Sequence, residues 1–356
     1  MPDTLTETAS FVCPTPLGQR DRIVLGHGSG GRLSAELLRD VFLPLFSNPV
    51  LDRMDDQAIV EIGGARVAFT TDSFVVQPLF FPGGDIGSLA VHGTVNDLAM
   101  GGARPLFLSA GFILEEGFST EALRRIAASM AEAAAAAGVS IVTGDTKVVE
   151  RGKGDGLFIN TTGIGIVPDG VRLSASQARP GDRVILSGAI GDHGIAILCK
   201  REGLEFETEI LSDSAALHNL VAAMLGVCPG TNAIRCMRDP TRGGVSSSLN
   251  EIAEQSGVSI QIEERCILVR EEVKGACELL GLDPLYVANE GKLLAIVAPE
   301  AADAILARMR RDPRGAEAAI IGTVGDESAG LVTMRTAFGS TRIVDMLAGE
   351  QLPRIC

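Results

Sequence analysis

The chain contains no tryptophan and only one tyrosine among its 356 residues. Single-stranded nucleic acids are usually held by stacking bases on aromatic side chains, so this scarcity argues against such a platform. A formal charge of −14 points the same way, because a phosphate polymer would be repelled overall. No apolar run approaches the ~20 residues that span a bilayer, so no membrane association is expected. Residues 1–19 are polar and carry acids, where a secretory signal would start basic and turn apolar. A cytoplasmic protein is therefore expected. Histidine occurs four times, and the seven cysteines (13, 199, 228, 236, 266, 277 and 356) include no Cys-x2-Cys pair. That spacing disfavours structural zinc and leaves reduced, mostly buried thiols as the expectation. Gly-x4-Gly-Lys-Ser/Thr is missing too, which removes the P-loop.

What is present is an ordinary packing composition, 46% hydrophobic and 21% charged, over a length that suits two cores. The alanine-rich run over 121–137, capped by Ser119 or Thr120 and stopped by Gly138, predicts the clearest helix. Further helices are expected over 33–42, 86–100, 193–202, 214–225, 245–256 and 301–310. Strands are expected over 58–62, 66–71, 106–113, 139–143, 158–167, 183–187, 293–297 and 320–324, with a hairpin turn at Gly63-Gly64. Strands mixed with helices in both halves predict two α/β (mixed α+β) domains, 21–170 and 171–340, divided in the Pro-, Gly- and Asp-rich stretch near 168–182. Residues 1–20 read as a loosely docked arm and 341–356 as a flexible tail.

Gly26, Gly28 and Gly31 match the dinucleotide fingerprint, and Gly30 lies among them. The following helix leads to Pro44 and Pro49, however, not to a second strand closed by an acid. Phosphate contact through Gly28, Gly30 and Gly31 by another geometry and a plain turn both stay open. The aspartates are more telling. Asp55 and Asp56 precede 58–62, Asp72 follows 67–71, Asp97 lies within 95–98, Asp145 closes 141–144, and Asp239 opens Asp239-Pro240-Thr241-Arg242-Gly243-Gly244. One such aspartate is most simply a turn or helix cap. Five such places at the ends of apolar runs predict carboxylates gathered on a shared site. Hard oxygen donors without Cys or His spacing suit Mg²⁺ bridging phosphates, with Asp56, Asp72, Asp97 and Asp145 as ligands and Asp55 and Asp239 beside them.

Lys147 and Glu290 flank apolar strands, where charged groups can take shifted pKa values and move protons; either alone is equally a solvated charge. Cys356 differs from the other cysteines. It is the last residue, behind Pro353 and Arg354. Its α-carboxylate opposes ionisation and Arg354 favours it. It does not form a prenylation box, and a carrier role is expected. Fourteen steps from Arg342 would let it reach at most about 50 Å.

Several segments together resemble the HypE family of hydrogenase maturation factors, within the ATP-binding superfamily that includes aminoimidazole ribonucleotide synthetase. They are Thr71-Asp72-Ser73-Phe74, Phe80-Phe81-Pro82-Gly83-Gly84-Asp85, Val95-Asn96-Asp97-Leu98, Gly144-Asp145-Thr146-Lys147, the 239–244 run, Asn289-Glu290-Gly291 and Pro353-Arg354-Ile355-Cys356. The resemblance spans about 26–356. It implies a two-domain aminoimidazole ribonucleotide synthetase-like fold with a mobile C-terminal tail, ATP and Mg²⁺, and a homodimer through the N-terminal domain. It implies a HypF-type carbamoyltransferase that loads the terminal thiol, and ATP-driven dehydration of that carbamoyl group to a thiocyanate. A HypC–HypD complex would then take the cyano group for the iron of a nickel–iron hydrogenase. By motif, Glu290 becomes the candidate base and Lys147 its electrostatic partner. A cousin acting on a diffusible substrate, such as a selenophosphate or purine-pathway synthase, explains the aspartates but leaves Cys356 idle. A non-catalytic scaffold that docks partners through its tail is the reading from another class.

Overall fold

The computed structural model describes residues 22–204, 208–349, 352 and 354–356, and the arm expected over 1–20 lies outside them. The first half begins with two short helices, α1 (Arg32–Leu37) and α2 (Leu43–Phe46). Strands β1 (Ala58–Ile62) and β2 (Ala65–Phe74) then form the expected hairpin, with Gly63 and Gly64 at φ 60° and 82°. Positive φ at both central residues is what a tight hairpin turn requires, and glycine takes it without a Cβ clash. A two-rung ribbon, β3 (Phe80–Phe81) and β4 (Gly84–Asp85), leads into α3 (Ile86–Met100). Asp85 caps this helix by accepting from the Gly87 and Ser88 amides at 2.8 and 3.0 Å. Strand β5 (Arg104–Glu115), α4 (Thr120–Ala137), β6 (Ser140–Val149) and β7 (Leu157–Ile166) complete this half. Its sheet runs β1-β2-β7-β5-β6, antiparallel except for β5 with β6. Helix α3 is apolar nearly all round because the sheet, α4 and the second half enclose it.

The second half contains β8 (Arg183–Leu186), α5 (Asp192–Glu202), α6 (His218–Leu225), β9 (Ile234–Arg238), α7 (Gly244–Ser256), β10 (Ser259–Glu263) and α8 (Glu271–Leu280). It ends with β11 (Leu294–Val297), α9 (Pro299–Met309), β12 (Ala319–Gly325), β13 (Val332–Arg335) and β14 (Thr341–Ile343). The sheet order is β14-β13-β10-β12-β8-β11-β9. Four strands (β9, β10, β13 and β14) and α8 do not emerge from the sequence pattern. Arg235 and Arg238 interrupt the apolar character of β9, and the residues read as the start of the tail pair with β13.

Asn96 of α3 joins the halves. Its Nδ2 donates to the Ala215 carbonyl at 3.0 Å, and its Oδ1 accepts from the Leu217 amide at 2.8 Å. It is 1% exposed, so these bonds fix α3 against the second domain at the level where Asp97 follows.

Candidate active site

Five acidic side chains converge between the halves: Asp56 before β1, Asp72 on β2, Asp97 on α3, Asp239 just past β9 and Glu290 in the loop before β11. Only Asp56 and Asp239 stand at strand ends as the sequence pattern suggested. Asp72 lies within β2, and Asp97 within the last turns of α3. Asp72 shares the inner face of β2 with buried Ala68, Thr70 and Phe74. Gly93 opposite makes room for the Phe74 ring; a Cβ there would press on that ring at 2.9 Å and would stand 3.5 Å from Asp72 Oδ2. Thr70 Oγ1 donates to Asp97 Oδ2 at 2.9 Å.

The charges do not balance. Asp56 has a buried partner in Arg238, which also donates to the Met54 carbonyl at 2.7 Å. Asp239 is 7% and Glu290 3% exposed, and neither Asp239 Oδ2 nor Glu290 Oε1 has a hydrogen-bond partner. Burial, and then repulsion from Asp56, pushes Asp239 up to about 8. Burial followed by Asp239 and Asp72 raises Glu290 well above the usual carboxylate range, and burial with the same neighbours does so for Asp97. Asp56 and Asp72 are also raised by burial, against the pull of Arg238 and Arg242 respectively. Orphaned, mutually repelling carboxylates fit a divalent cation. Among the described residues no three His, Cys, Asp or Glu side chains form a complete metal cage.

The end of the chain enters this cleft. The Val75 amide donates to a terminal carboxylate oxygen of Cys356 at 3.0 Å and the Gln77 amide to the Arg354 carbonyl at 3.2 Å, while Arg354 Nε returns a bond to the Val75 carbonyl at 3.0 Å. Ile355 is 2% exposed and joins the core beneath α3. Burial raises the pKa of the Cys356 thiol; Arg242 lowers it, and Glu290, Asp72 and Asp239 raise it further. The cation acting on the thiol is thus Arg242. Arg354, expected in that role, pairs with Asp155 instead.

The glycine loop and Asp55 also have structural duties. Gly30 and Gly31 answer to packing between loops. A Cβ on Gly30 (φ 71°) would lie 2.6 Å from Arg242 Cβ, and one on Gly31 would strike the Leu347 carbonyl. The Gly28 carbonyl accepts from Arg242 Nη1 at 3.1 Å, so the loop braces Arg242. Asp55 ties the junction of the two halves, accepting from Ser174 Oγ at 3.1 Å and the Ala175 amide at 2.9 Å.

Asp145 and Lys147 do not join the cluster of their own chain. Strand β6 continues to Val149, so both lie mid-strand at the sheet edge, paired with each other at 2.5 Å. Asp145 registers through Gly111 and Asn160 with Ser73, three strands or about 14 Å away. Alternation then turns Asp145 and Lys147 to the outer face, opposite Asp72. Arg242, Asp213 and His193 are the functional candidates that sequence reasoning missed. Arg242 stands in a motif noted for its aspartate, whereas nothing in the local pattern marks the other two.

Residues 54–167 and 179–334 match the N- and C-terminal domains of the AIR synthase related proteins. The carbamoyl dehydratase HypE of Azotobacter vinelandii is 62% identical over 330 residues, 93% of this chain and 96% of its own. A solved HypE–HypF complex is similar with a TM-score of 0.83 and 50% identity over 87% of this chain and 99% of that one. HypE solved with ATP gives 0.79 and 51% over 94% and 100%. With that likeness running through both halves and the cleft between them, the chain belongs to the HypE family of carbamoyl dehydratases, on the AIR synthase-related fold.

Proposed function

We propose that this chain uses ATP to dehydrate a carbamoyl group carried on Cys356 to a thiocyanate. The observation that carries the reading is the seat of Cys356, whose thiol lies under the charges of Arg242, Glu290, Asp72 and Asp239. That seat opposes a thiolate, so it suits a neutral S-carbamoyl group better than a nucleophile. Loading of the thiol then belongs in the site of a HypF-type carbamoyltransferase, and the product passes to a HypC–HypD complex for the iron of a nickel–iron hydrogenase. The diffusible-substrate reading gives this seat no purpose.

The chemistry balances in two steps. The carbamoyl oxygen attacks the γ-phosphorus of ATP; ADP leaves and one N–H proton is lost. The C–O bond then breaks, phosphate departs, and loss of the second N–H proton leaves a carbon–nitrogen triple bond on sulfur. Glu290 is the proton acceptor in this scheme. Burial and its acidic neighbours favour its protonated form, and cations arriving with the nucleotide would lower its pKa and favour the base. Mg²⁺, held by Asp72, Asp97 and Asp239 with Asp56 nearby, would supply charge stabilisation on the phosphates. Arg242 is placed to steady negative charge near the sulfur.

The reading includes a homodimer. The outer face of the first sheet carries Phe69, Ile164 and Phe107 side by side in register, 45%, 40% and 47% exposed. An apolar sheet face of this kind calls for cover. Covering it with a second copy would also enclose β6, so that the second copy's Lys147 serves as the electrostatic partner. Among the described residues no helix is long and apolar enough to cross a membrane; action in the cytoplasm is part of the reading. The deciding experiment is intact mass after incubation with the carbamoyl donor system and then ATP. Wild type should gain one carbamoyl group and then lose one water, and Cys356→Ala should do neither. Carbamoylation of the alanine variant would refute the reading.

A further inference from the structure

His193 is fully buried at the start of α5 and belongs to neither the carboxylate cluster nor the glycine loop. Its ring stands edge-on to Phe81, centroids 5.7 Å apart at 88°. Nδ1 lies 2.8 Å from Ser212 Oγ, and Nε2 lies 2.8 Å from the carbonyl oxygen of Ile355. A carbonyl can only accept, so the proton belongs on Nε2. Nδ1 is then a lone pair, and the Ser212 hydroxyl donates to it while its oxygen accepts from the Ser214 amide at 3.1 Å. The arrangement needs only a neutral ring, which burial favours.

We propose that His193 is a positioning residue for the carrier: its Nε2–H grips the last peptide bond of the chain and thereby presents Cys356 to Glu290. This rests on Cys356 as the carrier, but it adds a device for placing the thiol. When the tail leaves, the Nε2–H loses its acceptor in a buried place, so docking is rewarded at one atom. Ser212, which fixes the ring tautomer, is followed by Asp213. Asp213 Oδ1 accepts from the Glu290 amide at 3.0 Å, and Oδ2 pairs with Lys292 at 3.0 Å. Gly291 is packed so tightly on the Asp213 carbonyl that a Cβ would overlap it. Adjacent residues of one segment therefore hold the thiol's seat and the candidate base, which sets the spacing between them.

The test uses the full-length chain. His193→Ala should keep ATP affinity and loading of Cys356, yet slow single-turnover dehydration by about tenfold, the worth of one buried hydrogen bond. Alkylation of unloaded Cys356 by iodoacetamide, read by peptide mass, should quicken by about the same factor. His193→Gln, whose amide can reach the same carbonyl, should restore most of both; a merely structural histidine would not be rescued. Ser212→Ala keeps the ring but frees the tautomer, so it should fall between, and it decides the matter if His193→Ala does not fold. Wild-type alkylation and dehydration in the folded alanine variant would overturn the role, as would a glutamine variant no better than alanine. Should His193→Ala not fold, wild-type values for Ser212→Ala would overturn it. If the carrier reading itself failed, wild-type Cys356 would not be loaded, and the alkylation rates would still decide whether His193 holds the tail.

Discussion

Asp239 offers a test of the charge imbalance that needs no turnover. An unfolded aspartate titrates near 3.8, whereas burial and Asp56 hold this one up to about 8. The folded chain thus binds a proton that the unfolded chain has released. A group raised on folding contributes stability that is complete below the unfolded pKa and is lost as pH rises through the folded one. The window matters, because burial lowers the pKa of His92 to about 4 and also lowers His193 and His218, which gives an opposite slope below about pH 6.5. Between pH 7 and 8 these three histidines are neutral when folded and mostly neutral when unfolded, so their opposite slope fades. There Asp239 alone should cost about 1 kcal/mol, a sizeable share of the roughly 5–15 kcal/mol that holds a domain. Urea unfolding followed by circular dichroism suits a chain without tryptophan. Metal-free protein should lose stability from pH 7 to 8. Asp239→Asn should flatten that loss by about 1 kcal/mol, and saturating Mg²⁺ with a non-hydrolysable ATP analogue should flatten it as well. Metal-free stability that is level or rising over this window, or an asparagine variant with an unchanged slope, would refute the reasoning.

Glu290→Gln keeps the shape and removes the acceptor; dehydration should slow by about 10²-fold or more at unchanged ATP affinity, measured on the loaded tail. Lost nucleotide binding would instead make Glu290 a nucleotide ligand. If Lys147 serves the partner's cleft, mixed dimers of Lys147→Ala and Glu290→Gln chains should regain activity, because one of the two sites is then complete. Mixtures as inactive as the parents would return Lys147 to the surface. Phe107→Glu should shift the oligomer toward monomer in sedimentation, since it buries a charge in the apolar row, and an unchanged dimer would remove that face from the interface.

Asp56 was legible because it precedes the apolar run of β1, and Asp239 because it opens the Asp239-Pro240-Thr241-Arg242-Gly243-Gly244 run, although the strand before it was not. Asp145 misled for a physical reason. Composition shows that a strand is present, but where it stops and which face each residue takes depend on pairing with β5, including the bulge between Leu108 and Ser109. One residue of register separates the α3 side from the outer side. Arg242 was hidden by its better-known neighbour, since its position depends on Gly243 and Gly244 at φ 78° and 61° letting that loop close on Gly30. His193 and Asp213 could not be read at all, because their partners lie 162 and 77 residues away. The helix over Thr120–Ala137 was the easy case, since its caps and propensity are local.

The strand at Thr341–Ile343 and its sequel shorten the leash on Cys356. Beyond it, the Val344 carbonyl accepts from Asn250 at 2.9 Å, the Asp345 carbonyl from Ser246 at 2.5 Å and the Leu347 carbonyl from the Arg32 amide at 2.8 Å. The Gly349 carbonyl in turn accepts from Ser29 Oγ at 3.0 Å, so the free span starts at Gly349, not Arg342, and its seven steps reach about 25 Å, not 50 Å. A thiol confined to such a sphere meets its own cleft at an effective concentration on the order of 10 mM. A docking partner gains the same advantage only if its reactive centre lies inside that radius. If Cys356 is the carrier proposed above, the two sites it serves must then work almost mouth to mouth, and a partner that binds the far side of the molecule cannot be served.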